Sequence, residues 1–473
     1  MRAHFPTSVA GVSLTSFSEL ALKPALLSNL DSLGYQQMTP IQGLSLPPIL
    51  KGKDVIAQGK TGSGKTAAFG LGLLQNLDAK RYRIQSLVLC PTRELADQVA
   101  KQLRALARAI PNVKVLTLCG GVPFGPQRAS LEHGAHIIVG TPGRIEDHLG
   151  KGTLDLRQVN TLVLDEADRM LEMGFQDALD TIFSHCSPRR QNLLFSATFP
   201  AEITKIAKKI MFEPETVKAP STHDSSSIQQ VFYQLRDKAE RPQALQRVLL
   251  THDAESAVVF CTTKVETQQL ADDLQALGFS CLALHGDLEQ RQRDQTLARF
   301  ANKSIQILVA TDVAARGLDI DQIELVVNYH VSRDPEVHVH RIGRTGRAGA
   351  NGLAVSLVAE HEANKIIAIE DYLDIQIETQ PLPSEASLHA TPRQTQWVCL
   401  QIDAGKKQKL RPGDILGALT RNQQLAGSDV GKIQVMDYMA YVAVKRSKAK
   451  IAFNAITTQK MKGRSFKARR LRG

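Results

Sequence analysis

The sequence predicts an α/β chain of two tandem doubly wound parallel-sheet domains, followed by a small α+β domain of order βαββαβ. Three observations carry this expectation. Short apolar runs alternate with helical stretches twice along the chain, which is the rhythm of βαβ units. A glycine-rich string, Gly59-Lys60-Thr61-Gly62-Ser63-Gly64-Lys65-Thr66, stands between an early apolar run and the helical stretch after it. The surplus of positive charge is confined to one end: from Thr391 onward there are 18 Lys and Arg against 4 Asp, net +14, whereas the preceding 390 residues carry 40 basic and 43 acidic side chains, net −3.

The 473 residues are too many for one ordinary core, and 43% hydrophobic with 22% charged residues describes a soluble globular chain of two or three domains. No uninterrupted apolar stretch approaches the roughly 18 residues of a membrane span, and the amino terminus lacks a signal-peptide apolar region, so a cytoplasmic location is expected. The six cysteines form no C-x-x-C pair and several lie inside apolar runs, so neither disulfides nor zinc are expected.

In chain order, the first domain is expected over residues 1–213. Residues 54–57 supply an apolar strand and 66–77 a helix, and the string between them fits G-x-x-x-x-G-K-[ST]. Its glycines let the backbone N–H groups around Thr61, Gly62, Ser63 and Gly64 close on phosphate oxygens, at a helix end whose dipole favours anions. Lys65 would neutralise the β- and γ-phosphates and Thr66 would hold Mg²⁺ through its hydroxyl. Further strands are expected at 87–90, 113–118, 136–140, 162–165 and 193–195. The run ending in Asp165-Glu166-Ala167-Asp168 reads as a strand buried on both faces, so its carboxylates emerge at the edge where open α/β sheets bind ligands. There Asp165 can reach the metal and Glu166 can orient or deprotonate an attacking water. The two strings together imply a nucleoside triphosphatase site, with no metal needed apart from Mg²⁺.

Residues 214–227 have linker composition, with Pro220, Ser221, Thr222 and the run Ser225-Ser226-Ser227. The rhythm resumes over 228–378, with strands at 257–261, 281–285, 305–310, 325–329 and 352–358, but without a second phosphate loop. A second break at 379–394 carries Pro381, Pro383 and Pro392. The last domain, 395–473, reads as strand 397–402, helix 412–419, strands 433–436 and 441–444, helix 449–456 and a final segment 464–471, the split-βαβ order of RNA-recognition folds. After Asp437 there is no acidic residue, while eleven basic ones run from Lys445 to Arg472, as on a surface that meets phosphate backbones. Lys445, Arg446 and Lys448 are the leading RNA-contact candidates, with Tyr438, Tyr441 and Phe466 as candidate stacking residues that could equally belong to the core.

With the remaining short strings, roughly the first 375 residues closely resemble the DEAD-box RNA helicases, whose family name residues 165–168 spell literally. The resemblance implies two RecA-like domains and ATP as the nucleotide. Phe17, Gly34-Tyr35 and Thr39-Pro40-Ile41-Gln42 match the family's adenine-reading motif, in which Tyr35 would stack on the ring and Gln42 would bond its edge. Pro91-Thr92-Arg93-Glu94-Leu95, Gly120-Gly121 and Thr141-Pro142-Gly143-Arg144 match its RNA loops, implying RNA contact by Thr92, Arg93, Gly121, Thr141 and Arg144. Ser196-Ala197-Thr198 matches the motif that couples hydrolysis to strand separation. In the second domain Gln290-Arg291-Gln292-Arg293, the stretch 310–319 and His340-Arg341-Ile342-Gly343-Arg344-Thr345-Gly346-Arg347 match again. By that resemblance Thr311 touches the RNA backbone, Asp319 reaches the nucleotide, and Arg344 and Arg347 act as arginine fingers on the γ-phosphate.

Catalysis split in this way implies that hydrolysis requires closure of two domains on ATP and RNA together. The basic final domain resembles that of a bacterial branch of the family, which implies targeting to a hairpin of 23S ribosomal RNA and to pre-50S particles in large-subunit assembly. No obligate protein partner and no membrane association are evident. An ATP-gated RNA clamp without productive unwinding is the alternative; a DNA translocase is disfavoured by Gln42 and the literal acidic motif.

Overall fold

The computed structural model describes residues 15–59, 62–199, 201–219, 228–315, 323–346, 352–421 and 423–471. Thr61, Asp319 and Arg347 lie outside the described residues. The chain divides into two compact units, Met1–Thr222 and His223–Gly473. Among the described residues no helix is long and apolar enough to cross a membrane.

The first unit is built on seven parallel strands: β1 (Val55–Gln58), β2 (Ser86–Leu89), β3 (Val115–Leu118), β4 (Ile137–Gly140), β5 (Thr161–Asp165), β6 (Gln191–Ser196) and β7 (Glu215–Lys218), in the order β3-β4-β2-β5-β6-β1-β7. Successive side chains of a strand point to opposite faces, and both faces here are covered. Val88, Val139 and Val163 enter one core, while Leu87, Leu89, Ile138, Leu162 and Leu164 enter the other. Apolar runs without alternation are therefore what these strands require. Register sets the ends: Gln58 pairs with Ser196 and Asp165 with Phe195, so β1, β6 and β5 finish side by side.

The second unit contains an equivalent sheet: β8 (Ile228–Gln234), β9 (Ala257–Cys261), β10 (Cys281–Leu284), β11 (Ile307–Thr311), β12 (Leu325–Asn328), β13 (Gly352–Val358) and β14 (Thr379–Pro381), ordered β10-β11-β9-β12-β13-β8-β14. Counted from its own first strand, this is the order of the first sheet, and β8 takes the place of β1. Thr141 and Thr311 likewise fall at equivalent places, at the ends of the fourth strands.

Two corrections follow. Glu215–Lys218 and Thr379–Pro381, expected within the linkers 214–227 and 379–394, form edge strands paired to β1 and β8. Proline is tolerated there because an edge strand leaves one row of N–H groups unpaired. β8 was not anticipated either; it starts the second sheet.

The carboxyl-terminal sheet is antiparallel, β15 (Trp397–Ile402), β16 (Val430–Val435), β17 (Ala440–Lys445) and β18 (Ala468–Arg470), ordered β16-β17-β15-β18, with helices Pro412–Thr420 and Ala449–Thr458. The expected βαββαβ order holds. Val398, Leu400 and Ile402 join the helices in one core. The opposite face rests on the helix Gln290–Ala301 of the second sheet's domain: Cys399 and Tyr441 cluster with Ala298, and Gln295 Nε2 donates to Gln401 Oε1 at 2.9 Å. Tyr441, a stacking candidate, is thus 1% exposed, and Phe466 packs on the helix-side core; Tyr438 alone of the three is exposed.

Candidate active site

The site of the first unit is assembled where β1, β5 and β6 end. Gly59, just after β1, donates its N–H to the Ser196 carbonyl at 3.0 Å. The loop then turns through Gly62 (φ +84°) and Gly64 (φ +92°), left-handed values that favour glycine, into the helix Lys65–Asn76. At Gly64 a Cβ would come within 2.4 Å of Gln42 Nε2, so a side chain there would displace the amide that bonds this loop. Lys65 is buried and its Nζ donates to the Gly59 carbonyl at 2.8 Å, holding the loop in a ring. Ser63 and Thr66 are half-buried, Thr66 in the first helical turn.

Asp165, the last residue of β5, is 3% exposed, and among the described residues its Oδ1 has no hydrogen-bond partner. Burial pushes its carboxyl up to about 7; the nearby Lys65 ammonium opposes that rise and Glu166 adds to it. A buried carboxylate oxygen left unpaired beside a phosphate loop is suited to a hard cation. It and the Thr66 hydroxyl are both oxygen donors, the chemistry that fits Mg²⁺, an ion that keeps waters and phosphate oxygens as its other ligands.

Glu166 has φ +53°, a left-handed conformation held at the N-terminus of the helix Ala167–Glu172. Such a residue costs on the order of 1–3 kcal/mol and persists only where its surroundings impose it. Asp168 supplies part of the reason. Its Oδ2 accepts from the Thr198 N–H at 3.1 Å and the Thr198 hydroxyl at 2.8 Å, and its own N–H approaches Ser196 Oγ at 3.4 Å. Ser196 and Thr198 therefore join the acidic string to the phosphate loop, since Ser196 also receives the Gly59 bond. The role of Asp168 was not assigned from sequence; the fourth letter of its motif was the available signal.

Gln42 reaches this loop too. Its Oε1 accepts from the Thr39 N–H at 2.9 Å and its Nε2 donates to the Gly64 carbonyl at 3.1 Å. One N–H and one lone pair of that amide remain. Tyr35 stands edge-on to Phe17, with centroids 6.1 Å apart, and its hydroxyl accepts from Gln102 at 3.2 Å.

The expected RNA loops of the first unit gather at the ends of β2, β3 and β4. Gly120, Thr141, Gly143, Arg144 and Phe175 line an open groove of about 530 Å³, and Gly121 follows at φ +72°. Thr92 spends its hydroxyl as a helix cap, accepting from the Leu95 N–H at 3.3 Å, and Arg93 lies 3.6 Å from Asp97. Arg144 is braced by the Val122 carbonyl at 3.0 Å and by Gln127 at 3.1 Å.

In the second unit Thr311 is buried at the end of β11. Arg341 is structural: it makes a two-point ion pair with Asp312 at 2.6 and 2.9 Å and donates to the His330 carbonyl at 2.7 Å. Arg344 follows one turn later, buried. Of the basic candidates near the carboxyl terminus, Lys445 pairs with Asp429 at 3.0 Å and Arg446 holds the Thr395 carbonyl at 2.8 Å, while Lys448 is half-buried. Two of these three thus have structural partners.

Comparison with known proteins agrees with this geometry. Residues 39–206 match the DEAD/DEAH box helicase family, 240–349 the helicase conserved C-terminal domain and 399–470 the DbpA RNA binding domain. The chain is 54% identical over 460 residues to the ATP-dependent RNA helicase DbpA of Escherichia coli (strain K12), covering 97% of this chain and 100% of that protein. It is 35% identical over 475 residues to DbpA of Bacillus subtilis (strain 168), covering 96% and 99%. Yeast Dbp5 bound to RNA and ADP BeF3 superposes with a TM-score of 0.71 at 31% identity, over 77% of this chain and 95% of that one. A phosphate loop, an acidic strand end with an unpaired carboxylate oxygen and an RNA-binding domain on one chain are thereby accounted for: it belongs to the DEAD-box ATP-dependent RNA helicases that carry a DbpA RNA binding domain.

Proposed function

We propose that the first unit holds ATP with Mg²⁺, and that the residues divide the work as follows. Gly62, Ser63 and Gly64, with Thr61, bind the phosphates, and Lys65 turns from the Gly59 carbonyl to the β- and γ-phosphates. Asp165 and Thr66 would hold Mg²⁺, which would supply charge neutralisation to the bound phosphates. Glu166 positions the attacking water and takes its proton. Gln42 spends its remaining N–H and lone pair on the adenine edge, and Tyr35 packs against the ring. Arg344 and Arg347, with Asp319, complete the site from the second unit, so turnover depends on both units being engaged. The observation that carries this reading is the unpaired, buried Oδ1 of Asp165 beside Lys65.

RNA enters through Thr92, Arg93, Gly121, Thr141 and Arg144 of the first unit and Thr311 of the second. Its backbone is gripped without a sequence code. The Asp168 bonds to Thr198 and Ser196 carry the state of the nucleotide site to these loops. We further propose that the basic carboxyl-terminal domain, through Lys445, Arg446 and Lys448 among others, directs the helicase to a hairpin of 23S ribosomal RNA in pre-50S particles in the cytoplasm. Support comes from its net +13 charge over residues 395–473, 17 Lys and Arg against 4 Asp, and its match to the DbpA RNA binding domain. ATP turnover with a 23S hairpin fragment, other RNA and DNA compared tests this: the hairpin should stimulate most at equal concentration, and equal stimulation by unrelated RNA would defeat the targeting.

A further inference from the structure

The groove between the 120–121 and 141–144 loops has a floor that none of the motif strings includes. Beneath it one buried amide, Gln127 of the helix Phe124–Glu132, meets three other groups. Its Nε2 donates to the Cys119 carbonyl at 2.9 Å, immediately before the Gly120-Gly121 turn. Its Oε1 accepts from Arg144 Nη1 at 3.1 Å and lies 3.1 Å from His148 Nε2. A carbonyl can only accept, so Cys119 fixes which end of the amide is which. Oε1 then faces two groups that must both donate. The His148 proton therefore sits on Nε2, and Nδ1 accepts from the Thr153 hydroxyl at 2.8 Å, a proton shared with the His148 carbonyl at 3.1 Å. His148 is fully buried and stacked on Phe124, with centroids 4.2 Å apart at 20°. Burial and the Arg144 guanidinium lower its pKa to about 4, which keeps the ring neutral near pH 7.

We infer that Gln127 is a positioning residue for RNA binding: its single amide, oriented by the Cys119 carbonyl, holds Arg144 in the geometry that grips the strand. Inward bonds to Gln127 and to the Val122 carbonyl occupy Arg144 Nη1. The side chain, 13% exposed, is immobilised before RNA arrives, so its rotamer entropy is not lost on binding. A free arginine at the same place would carry the same charge and bind less well.

This rests on reading Arg144 as an RNA contact, and the experiment separates the two claims. In the full chain, Arg144→Ala, Gln127→Met and the double variant are compared for RNA-stimulated ATP turnover. Arg144→Ala should raise the KM for RNA about tenfold and Gln127→Met about fivefold, Gln127→Met leaving the KM for ATP and RNA-free turnover within about twofold, and the double variant should match Arg144→Ala alone. If Arg144→Ala leaves the KM for RNA unchanged, the reading of Arg144 fails and the inference with it. If Arg144→Ala acts but Gln127→Met does not, or the two effects multiply, the inference alone is overturned. A check on the unaltered protein requires no variant to fold: long-range ¹⁵N–¹H correlation should show His148 neutral with its proton on Nε2. A proton on Nδ1 would reverse the amide, break the link to Arg144 and overturn the inference.

Discussion

The two seven-stranded sheets share one strand order and differ in what their fifth strands deliver. β5 ends on Asp165, whose Oδ1 is buried without a partner among the described residues. β12 ends on Asn328, whose Nδ2 donates to Ser356 Oγ at 3.0 Å and whose Oδ1 accepts from Arg341 Nη1 at 3.2 Å. Arg341 in turn is closed onto Asp312 and the His330 carbonyl. The first strands differ in the same sense. β1 runs into a glycine loop stitched to Ser196, whereas the turn after β8 closes on itself through Arg236 and Glu240, 2.8 Å apart. One topology thus provides two equivalent strand-end edges, and on the reading proposed above the open carboxylate at the end of β5 is what makes the first of them the nucleotide edge.

The largest way to break this comparison is to empty the open edge. Lys65→Ala should lower ATP turnover by more than about a hundredfold through loss of nucleotide affinity, measured by titration with a fluorescent nucleotide. Wild-type affinity in that variant would sink the assignment of Lys65. Glu166→Gln should keep nucleotide affinity within a few-fold and lose about 10²–10⁴ in turnover, because only proton transfer is removed.

Asp165 sharpens the contrast through pH. Its folded-state pKa of about 7 lies above the roughly 3.9 of an unfolded aspartate, so the folded state binds this proton more tightly. Nucleotide-free stability contributed by the group is present below about pH 4 and is lost as the pH rises through about 7. Asp165→Asn should therefore melt higher than wild type above pH 7, with the gain fading toward pH 4; a gain independent of pH would contradict the account. The smallest effect is expected at the closed edge. Asn328→Asp should cost about 1–3 kcal/mol by breaking the donation to Ser356, and confer no nucleotide binding.

Much of the architecture was legible because buried parallel strands require uninterrupted apolar runs, as in Leu162-Val163-Leu164. Three strands were not. β7 and β14 span four and three residues beside prolines, and at a sheet's edge such composition is compatible with both strand and linker. In β8 the glutamines at 229, 230 and 234 hide an apolar set of which only Val231, Phe232 and Tyr233 are buried. The catalytic strings were readable because their spacing is local. The Asp168–Thr198 bond spans 30 residues and the Gln42–Gly64 bond 22, and no local pattern announces either. Tyr441 reads from the sequence as either a stacking residue or a core one, and what decides is a helix more than a hundred positions earlier in the chain, which buries it.

The measurement that bears most directly on the division of labour is single-turnover ATP hydrolysis by residues 1–222 alone, beside the full chain with RNA. The isolated unit contains the phosphate loop, Asp165 and Glu166, so it should still bind ATP. Without Arg344 and Arg347 its hydrolysis should fall by about 10³-fold or more. Hydrolysis at the full-chain rate by that unit would show that the second sheet contributes nothing to the chemistry, and the account would fail.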